Sequence, residues 1–357
     1  MKKNFAEVEA KFAKEEQQSF HIHFPRFLCY FLVGLMLNPI QWEWQKGKGR
    51  ICVNSTNGNN GPDTKSSPNT HIPKPSADNA DECPPVYYMT AFLRLLVNIW
   101  RLRITFPLLD ILLHADDIEA AFLRILYHPD MAVVFAYCFG AFLIVPVGQV
   151  FGSRSAPSFF SMASDIRADV ATTSDLYTQY PLLDLVKDIV LPEPPAPADL
   201  TPAIADPLNP PMTEHEKQNF NNDSFVDDNG VSAVASNIVP ALQQSLLAAF
   251  VLFGWPTTDR RGSCIAPDKW DSTVSYIVLF LGFLINSRTM MVTWPLYKRV
   301  ALHDEIQLAL AATHSCITPR LSASILGKIR SVGEVAPWGP YSSFSLAEGL
   351  KAATRRA

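Results

Sequence analysis

The chain has 357 residues, 48% hydrophobic and 18% charged, with a formal net charge of −4. That length and apolar share exclude a wholly disordered protein and allow a core divided among two or three subdomains. Near-neutrality excludes a uniformly basic nucleic-acid coat. The charge is nevertheless uneven: residues 1–50 hold eight Lys/Arg against five Asp/Glu (net +3), and residues 287–357 hold nine against four (net +5).

In chain order, MKKNFAEVEAKFAKEEQQ reads as a charged helix with no signal-peptide apolar region behind it. The apolar segment Phe27–Leu37 follows, then QWEWQKGKGRICVNS. There Trp42 and Trp44 alternate, KGKG turns, and Ile51 and Val53 alternate back, the pattern of a β-hairpin. Asn54–Pro85 is rich in Asn, Ser, Pro and Gly and reads as a long loop or disordered insert. An amphipathic helix is expected near Tyr88–Leu102 and a strand over Leu108–Leu113. A helix should carry Ile118, Ala121, Phe122 and Ile125 as its apolar stripe. Ala132–Val147 is the longest apolar run, but Gly140 and Pro146 interrupt it and it falls short of the ~20 residues of a membrane span. Two buried strands joined at Phe139-Gly140 explain it, and no membrane protein is expected.

Pro157 stands where the first turn of a helix tolerates proline. Leu191–Pro211 has eight prolines in 21 residues, which suits extended polyproline-like chain. A hairpin around Phe225–Val234 is expected to turn at Asn229-Gly230. A helix Val239–Phe253, a strand YIVLFLGFLI and a helix Leu296–Ala311 complete the pattern. Regular βαβ spacing is missing, so the expected class is α+β with an antiparallel sheet. Six cysteines (Cys29, Cys52, Cys83, Cys138, Cys264, Cys316) lack any C-x-x-C spacing. They read as reduced residues of an intracellular protein, cytoplasm or nucleus unresolved.

The adjacent carboxylates Asp227 and Asp228 have two readings: ordinary turn chemistry, or a site for a multivalent cation that needs carboxylates from elsewhere. Asp117, between an apolar strand and a helical stripe, is the candidate third ligand. It also reads as an N-cap, as does its neighbour Asp116.

Taken in order, KGKGR, DIEAAF, FGSRSAPSFF, FVDD, the Lys of APDKW and FLGFLI resemble motifs of the reverse transcriptases of retroelements, especially the long-terminal-repeat and DIRS-like lineages. Asp117, Ala121 and Phe122 match the first palm motif. Phe151, Gly152, Ala156, Pro157 and Phe160 match the second, Phe225, Asp227 and Asp228 the third, and Leu281-Gly282 a later one. Coverage runs from about Leu37 to Arg299. The resemblance implies a right-hand polymerase fold with an antiparallel palm sheet packed on helices. Residues 1–107 would be an N-terminal extension and fingers with a polar insert at 54–85. Residues 108–286 would be the palm with the Pro-rich insert 191–211, and 287–357 a connection and partial thumb.

It also implies an RNA-directed DNA polymerase taking an RNA template, a DNA primer and dNTPs, with two Mg²⁺ (or Mn²⁺) ions held by Asp117, Asp227 and Asp228. Carboxylate oxygens suit Mg²⁺, whose role in nucleotidyl transfer is to activate the 3′-hydroxyl and neutralise the triphosphate. Arg50, with Lys46 or Lys48, would grip the triphosphate, and Phe122 would block a ribose 2′-hydroxyl. Gly152, after Phe151, would admit nucleotide or template, and Lys269 would protonate the leaving pyrophosphate. Phe225 replaces the commoner Tyr, and Asn54 stands where many relatives carry Asp. No ribonuclease H, integrase or protease pattern is visible, so further modules of the same element are expected as partners. The alternatives are a catalytically inactive or domesticated domain that binds RNA or a protein, and an RNA-dependent RNA polymerase. The latter is disfavoured by Val226 before the paired Asp and by Phe122. An unrelated helical scaffold would have to treat the ordered motifs as accident.

Overall fold

A computed structural model of the chain describes residues 5–45, 48–56, 67–193, 200–201, 203, 207–208, 210–212, 220–256, 262–266, 270, 272–311, 317–333 and 348. Helix α1 (Phe5–Gln17) leads into strand β1 (His21–Pro25) and the hairpin β2 (Ile40–Gln45) and β3 (Lys48–Val53). Helix α2 (Tyr88–Thr105) precedes β4 (Ile111–Asp117); the hairpin β5 (Tyr137–Phe139) and β6 (Phe142–Pro146) precedes helix α3 (Ala156–Thr173). After β7 (Asn221–Phe225), β8 (Asp228–Val234) and helix α4 (Ile238–Phe253) come β9 (Ile277–Phe280), β10 (Phe283–Asn286) and β11 (Met291–Thr293). Helices α5 (Leu296–Ala311) and α6 (Pro319–Gly333) end the described part. The sheets run β4-β8-β7, β1-β6-β5, β2-β3 and β11-β10-β9, with every named strand pair antiparallel.

The sheet β4-β8-β7 is covered on both faces, which is why ILL at the start of β4 is apolar without alternation. Leu112, Val231 and Ala233 point to one face, against Phe160 of α3 and Ile238, Leu242, Leu246 and Phe253 of α4. Ile111, Leu113 and Val234 point to the other, against Phe92, Leu95 and Ile99 of α2 and Phe280, Phe283 and Ile285 of β9 and β10. Gly230 lies under this second layer. A Cβ there would stand 2.9 Å from Leu95 Cδ2 and 3.4 Å from the Phe280 ring. Helix α4 belongs to the core on nearly all sides. By length and composition alone the window 235–253 could cross a membrane, but 67% of it is buried inside the protein. Its polar residues are tied down too: Gln243 Nε2 donates to Pro181 O (2.9 Å) and Gln244 Nε2 to Val170 O (3.2 Å).

A separate core sits beneath α1. Val8 and Phe12 pack with Val53 of β3 and with Phe135, Tyr137, Ile144 and Val150 around the β5–β6 hairpin. Docking of α1 thus joins the N-terminal helix to both hairpins.

The hairpin at 40–53, the helix after Pro157 and the helix Leu296–Ala311 stand where the sequence pattern puts them. Five expectations are corrected. The strand expected at Leu108–Leu113 starts at Ile111, because 107–109 form an exposed turn whose carbonyls, Pro107 O and Leu109 O, accept from buried Arg103 (3.2 and 2.8 Å). The expected helix carrying Ile118 to Ile125 is a single turn, Ala121–Arg124. It starts after Ala120 in the left-handed region (φ +55°), which disfavours helix on its N-terminal side. The hairpin expected to turn at Asn229-Gly230 turns at Val226-Asp227 instead. The run YIVLFLGFLI is not one strand: Leu281 (φ +48°) and Gly282 (φ +86°) reverse it into β9 and β10. Within Ala132–Val147, residues 132–135 belong to helical turns and only 137–146 form the hairpin. Most of the Pro-rich insert and of the polar insert's centre, and Cys316, lie outside the described residues.

Candidate active site

Strand register decides which carboxylates meet. In the β4–β8 ladder Asp117 stands opposite Asp228 and Asp116 opposite Asn229. Phe225 pairs with Asp228, leaving Val226 and Asp227 as the turn. Val226 adopts φ +53°, unfavourable for a β-branched residue by about 1–3 kcal/mol. The turn is held from both sides: Ser164 Oγ of α3 donates to Val226 O, and Ile118 N–H donates to Asp227 O (3.0 Å).

Successive side chains leave β4 on opposite faces, so Asp116 and Asp117 part company. Asp116 turns toward α3 and α4 into a dry network. Arg167 Nη2 donates to it at 2.9 Å, Asn229 Nδ2 donates at 2.9 Å, and Ser245 Oγ accepts from both Arg167 (3.0 Å) and Asn229 (3.2 Å). Ser224 Oγ completes it by donating to Asn229 Oδ1 (2.7 Å). The N-cap reading of Asp116 and Asp117 is thereby replaced, since both are the last residues of a paired strand.

Asp117 and Asp227 instead line a cavity of about 710 Å³. Ile118 to Leu123 form one wall, and Arg50 and Ile51 of β3 with Phe151 form a second. Lys11, Lys14 and Glu15 of α1 form a third. Arg50, Phe151, Phe122 and Phe160 make a continuous stack. The guanidinium lies 5.5 Å from the Phe151 ring centre, and that ring meets Phe122 edge-on at 4.9 Å. Phe122 in turn meets buried Phe160 at 5.9 Å, so Arg50 is oriented from the core outward.

Gly152 answers a different need. At φ +110°, a Cβ there would fall 1.8 Å from Val53 O, and Val53 N–H donates to Phe151 O at 2.7 Å. Its missing side chain lets the β2–β3 hairpin dock on this loop. Asp228 is half-buried beside Asp117 in the ladder and does not line the cavity. Of Lys48 only its backbone position in β3, opposite Gln45, is described. Lys46 and Lys269 lie outside the described residues. Among the described residues, no group of three or more His, Cys, Asp or Glu is set to hold a metal ion.

The residues that motif matching missed belong to α1 and the β4 exit. Lys11 Nζ donates to Gly49 O (3.3 Å) and lies 3.8 Å from Glu15; Lys14 Nζ forms an ion pair with Glu119 at 3.1 Å. Glu15 is shifted from the ordinary carboxylate range to about 7 by burial, partly offset by Lys11 and Lys14. His21, 3.5 Å from Glu15 and 3.1 Å from the Tyr137 hydroxyl, is lowered to about 3, first by burial and then by His23 and Lys11. It is therefore neutral at ordinary pH, and its contact with Glu15 is not an ion pair.

No protein-family model matches the chain, and no curated protein matches it in sequence. Solved structures do. The foamy viral protease-reverse transcriptase dRH in complex with double-stranded DNA superposes over 93% of this chain, with a TM-score of 0.51 and 16% identity. The foamy viral protease-reverse transcriptase in complex with double-stranded DNA covers 90% of the chain and 46% of its own length (TM-score 0.49, 16% identity). Telomerase from Candida albicans, in complex with a fragment of telomeric RNA, covers 97% of the chain and 67% of its own length (TM-score 0.45, 10% identity). The first of these likenesses shows the fold: the chain is an α+β domain built like a reverse transcriptase. It spans 42% of the length of that viral enzyme.

Proposed function

We propose that this domain is an RNA-directed DNA polymerase of a retrotransposable element, of the long-terminal-repeat or DIRS-like lineage, acting as one module among others. One observation carries the reading. The ladder sets Asp117 opposite Asp228, and Asp117 and Asp227 line one cavity together with Arg50. Carboxylates and a guanidinium around one space suit a ligand that is itself an anion bound to a metal ion. The reaction joins the primer 3′-oxygen to the α-phosphorus of a dNTP and breaks the bond to pyrophosphate.

The donor set fits Mg²⁺, with Mn²⁺ as a substitute. Mg²⁺ takes oxygen ligands and keeps several waters, so it is commonly held by one or two carboxylates plus substrate phosphates rather than by a closed protein cage. Asp117 and Asp227 would hold it, supported by Asp228. When bound, such ions lower the pKa of the hydroxyl nucleophile and neutralise charge on the phosphates. The chain's own groups position the rest. Arg50 offers its fork to the triphosphate, braced on Phe151. Phe122, seated between Phe151 and Phe160, would act as a sugar gate that favours deoxyribose. Lys46, Lys48 and Lys269 remain proposals from the motif likeness, as grips on the triphosphate and as the acid for pyrophosphate. The viral enzyme that shares the fold was solved on duplex DNA, which supports a template–primer partner here.

A second reading, a domain that binds RNA or a protein without catalysis, draws on the lack of a three-acid cluster among the described residues. Primer extension separates the two. On a short RNA template with Mg²⁺, extension is expected with dNTPs, not with NTPs, and lost in Asp227→Asn. Folded protein that binds template–primer yet extends nothing would select the second reading.

A further inference from the structure

Helix α1 carries none of the motifs discussed above, yet it supplies a wall of the cavity that holds Asp117 and Asp227. Two of its ammonium groups, Lys11 and Lys14, one helical turn apart, face that space. Val8 and Phe12 on the adjoining face of the helix are buried against β3 and the β5–β6 hairpin, which fixes the rotation of α1. The lysines are thus presented by a packed element.

We propose that α1 is part of the triphosphate grip, with Lys11 and Lys14 adding two cations to Arg50 and with Glu119 as the competitor that holds Lys14 in reserve. The inference rests on reading the cavity as the dNTP site and extends it to residues outside the motifs. Three observations support it. The acceptors that hold the two lysines are replaceable ones: Lys11 donates to the carbonyl of Gly49 at 3.3 Å, and Lys14 bridges Glu119 at 3.1 Å. Gly49 precedes Arg50 on β3, and Lys11 and Arg50 line the same cavity. Glu119 lies two residues beyond Asp117, on the wall that faces α1. A phosphate oxygen entering between these walls competes with the Glu119 carboxylate for the Lys14 ammonium. Both are hydrogen-bond acceptors for a cation, and the phosphate carries the greater charge. An ion pair of this exposed kind is worth less than about 1 kcal/mol, so it yields readily.

Two measurements test this and keep it distinct from the polymerase reading. In steady-state single-nucleotide extension at saturating template–primer, Lys11→Ala with Lys14→Ala is expected to raise the dNTP KM about tenfold or more, with kcat little changed. The pair Lys11→Arg with Lys14→Arg is expected to restore most of that loss. Glu119→Gln should act in the opposite direction and lower KM. Binding of inorganic tripolyphosphate with Ca²⁺, followed by calorimetry, needs no catalysis and should weaken in the double alanine variant and tighten in Glu119→Gln. Wild-type extension with an unchanged KM in the double variant would overturn the role of α1 and leave the polymerase standing. Lysine-dependent tripolyphosphate binding without any extension would retain the grip and overturn the polymerase. Unaltered tripolyphosphate binding in both variants would overturn the proposal whatever the enzyme does.

Discussion

Asp116 and Asp117 are adjacent in sequence, the same residue type and both buried, yet their surroundings differ completely. Asp116 is enclosed with Arg167, Asn229 and Ser245 in a network that no solvent reaches, and its charge is matched within the fold. Asp117 leaves the same strand on the other face and lines the cavity with Asp227. The pleat alone makes this division, because side chains alternate across a sheet. A pair of identical residues is thus split into one that is tied into the core and one that faces the cavity. The Asp227-Asp228 pair is split less sharply: the turn residue lines the cavity, and the strand residue only flanks it.

Substitution at the two faces should fail in opposite ways. If the domain is the polymerase proposed above, Asp117→Asn is expected to cut primer extension by roughly a thousandfold or more while leaving the melting temperature nearly unchanged, since the carboxylate would then serve the reaction and not the core. Asp116→Ala is expected to destabilise the fold by about 3–5 kcal/mol, because it leaves the Arg167 guanidinium buried without its carboxylate. Its activity per folded molecule should survive. Replacing both partners, Asp116→Leu with Arg167→Met, should recover much of that stability. If Asp116→Ala were as stable as wild type and inactive, the assignment of the two faces would be reversed.

A substitution at the rim asks whether the cavity depends on how the β2–β3 hairpin is seated. Gly152→Ala puts a methyl group into Val53 O and forces an unfavourable backbone angle. A loss of about 2–3 kcal/mol is expected, and the hairpin must shift from the loop. Because Arg50 travels with that hairpin, dNTP affinity should fall alongside stability. Denaturation and KM measured on one preparation check both. A stable Gly152→Ala with normal KM would mean that the contact with Val53 is slack.

Much of this division is legible in the sequence, for reasons that differ from residue to residue. The hairpin of Trp42 and Ile51 and the helix that opens around Pro157 are local signals of spacing and turn chemistry, and the fold honours them. Of the three Asp, two, Asp117 and Asp227, line one cavity, and Asp228 does not. The Asn229-Gly230 turn is a local signal that tertiary packing overrides. Asn229 is taken into the Asp116 network, and Gly230 is needed where α2 and β9 press on the sheet. The chain therefore turns earlier and accepts a strained Val226. Helix α1 is legible as a helix but not as a wall of the cavity. Its docking depends on Val8 and Phe12 meeting Tyr137 and Val150, contacts across more than a hundred residues with no trace in local pattern. The Arg167 partner of Asp116 is hidden likewise, because nothing near Arg167 in sequence marks it as buried.

A third carboxylate sharpens the contrast with the smallest effect. Glu15, like Asp116, is enclosed, but its nearest cation, Lys11, lies 3.8 Å away, and burial raises its pKa to about 7. Unfolded, it ionises near 4.5, so between pH 4.5 and 7 the folded chain holds the extra proton. Its contribution to stability is therefore present below pH 4.5, declines as pH rises to 7, and is gone above. His21 acts with the opposite sign. Lowered from 6.5 to about 3 by burial, His23 and Lys11, it supports the fold above pH 6.5 and loses that support as pH falls toward 3. Between pH 4.5 and 6.5 the two slopes oppose each other, so wild type should show a shallow profile there. Glu15→Gln removes one slope. Urea denaturation should find the variant more stable than wild type at pH 8, by up to about 3 kcal/mol, with the gap closing at pH 4. His21→Asn should unmask the other slope, leaving stability that falls steadily from pH 4.5 to 7. A Glu15→Gln profile parallel to wild type at every pH would show that Glu15 is ionised in the fold, and would place it beside Asp116 as a carboxylate matched by a cation.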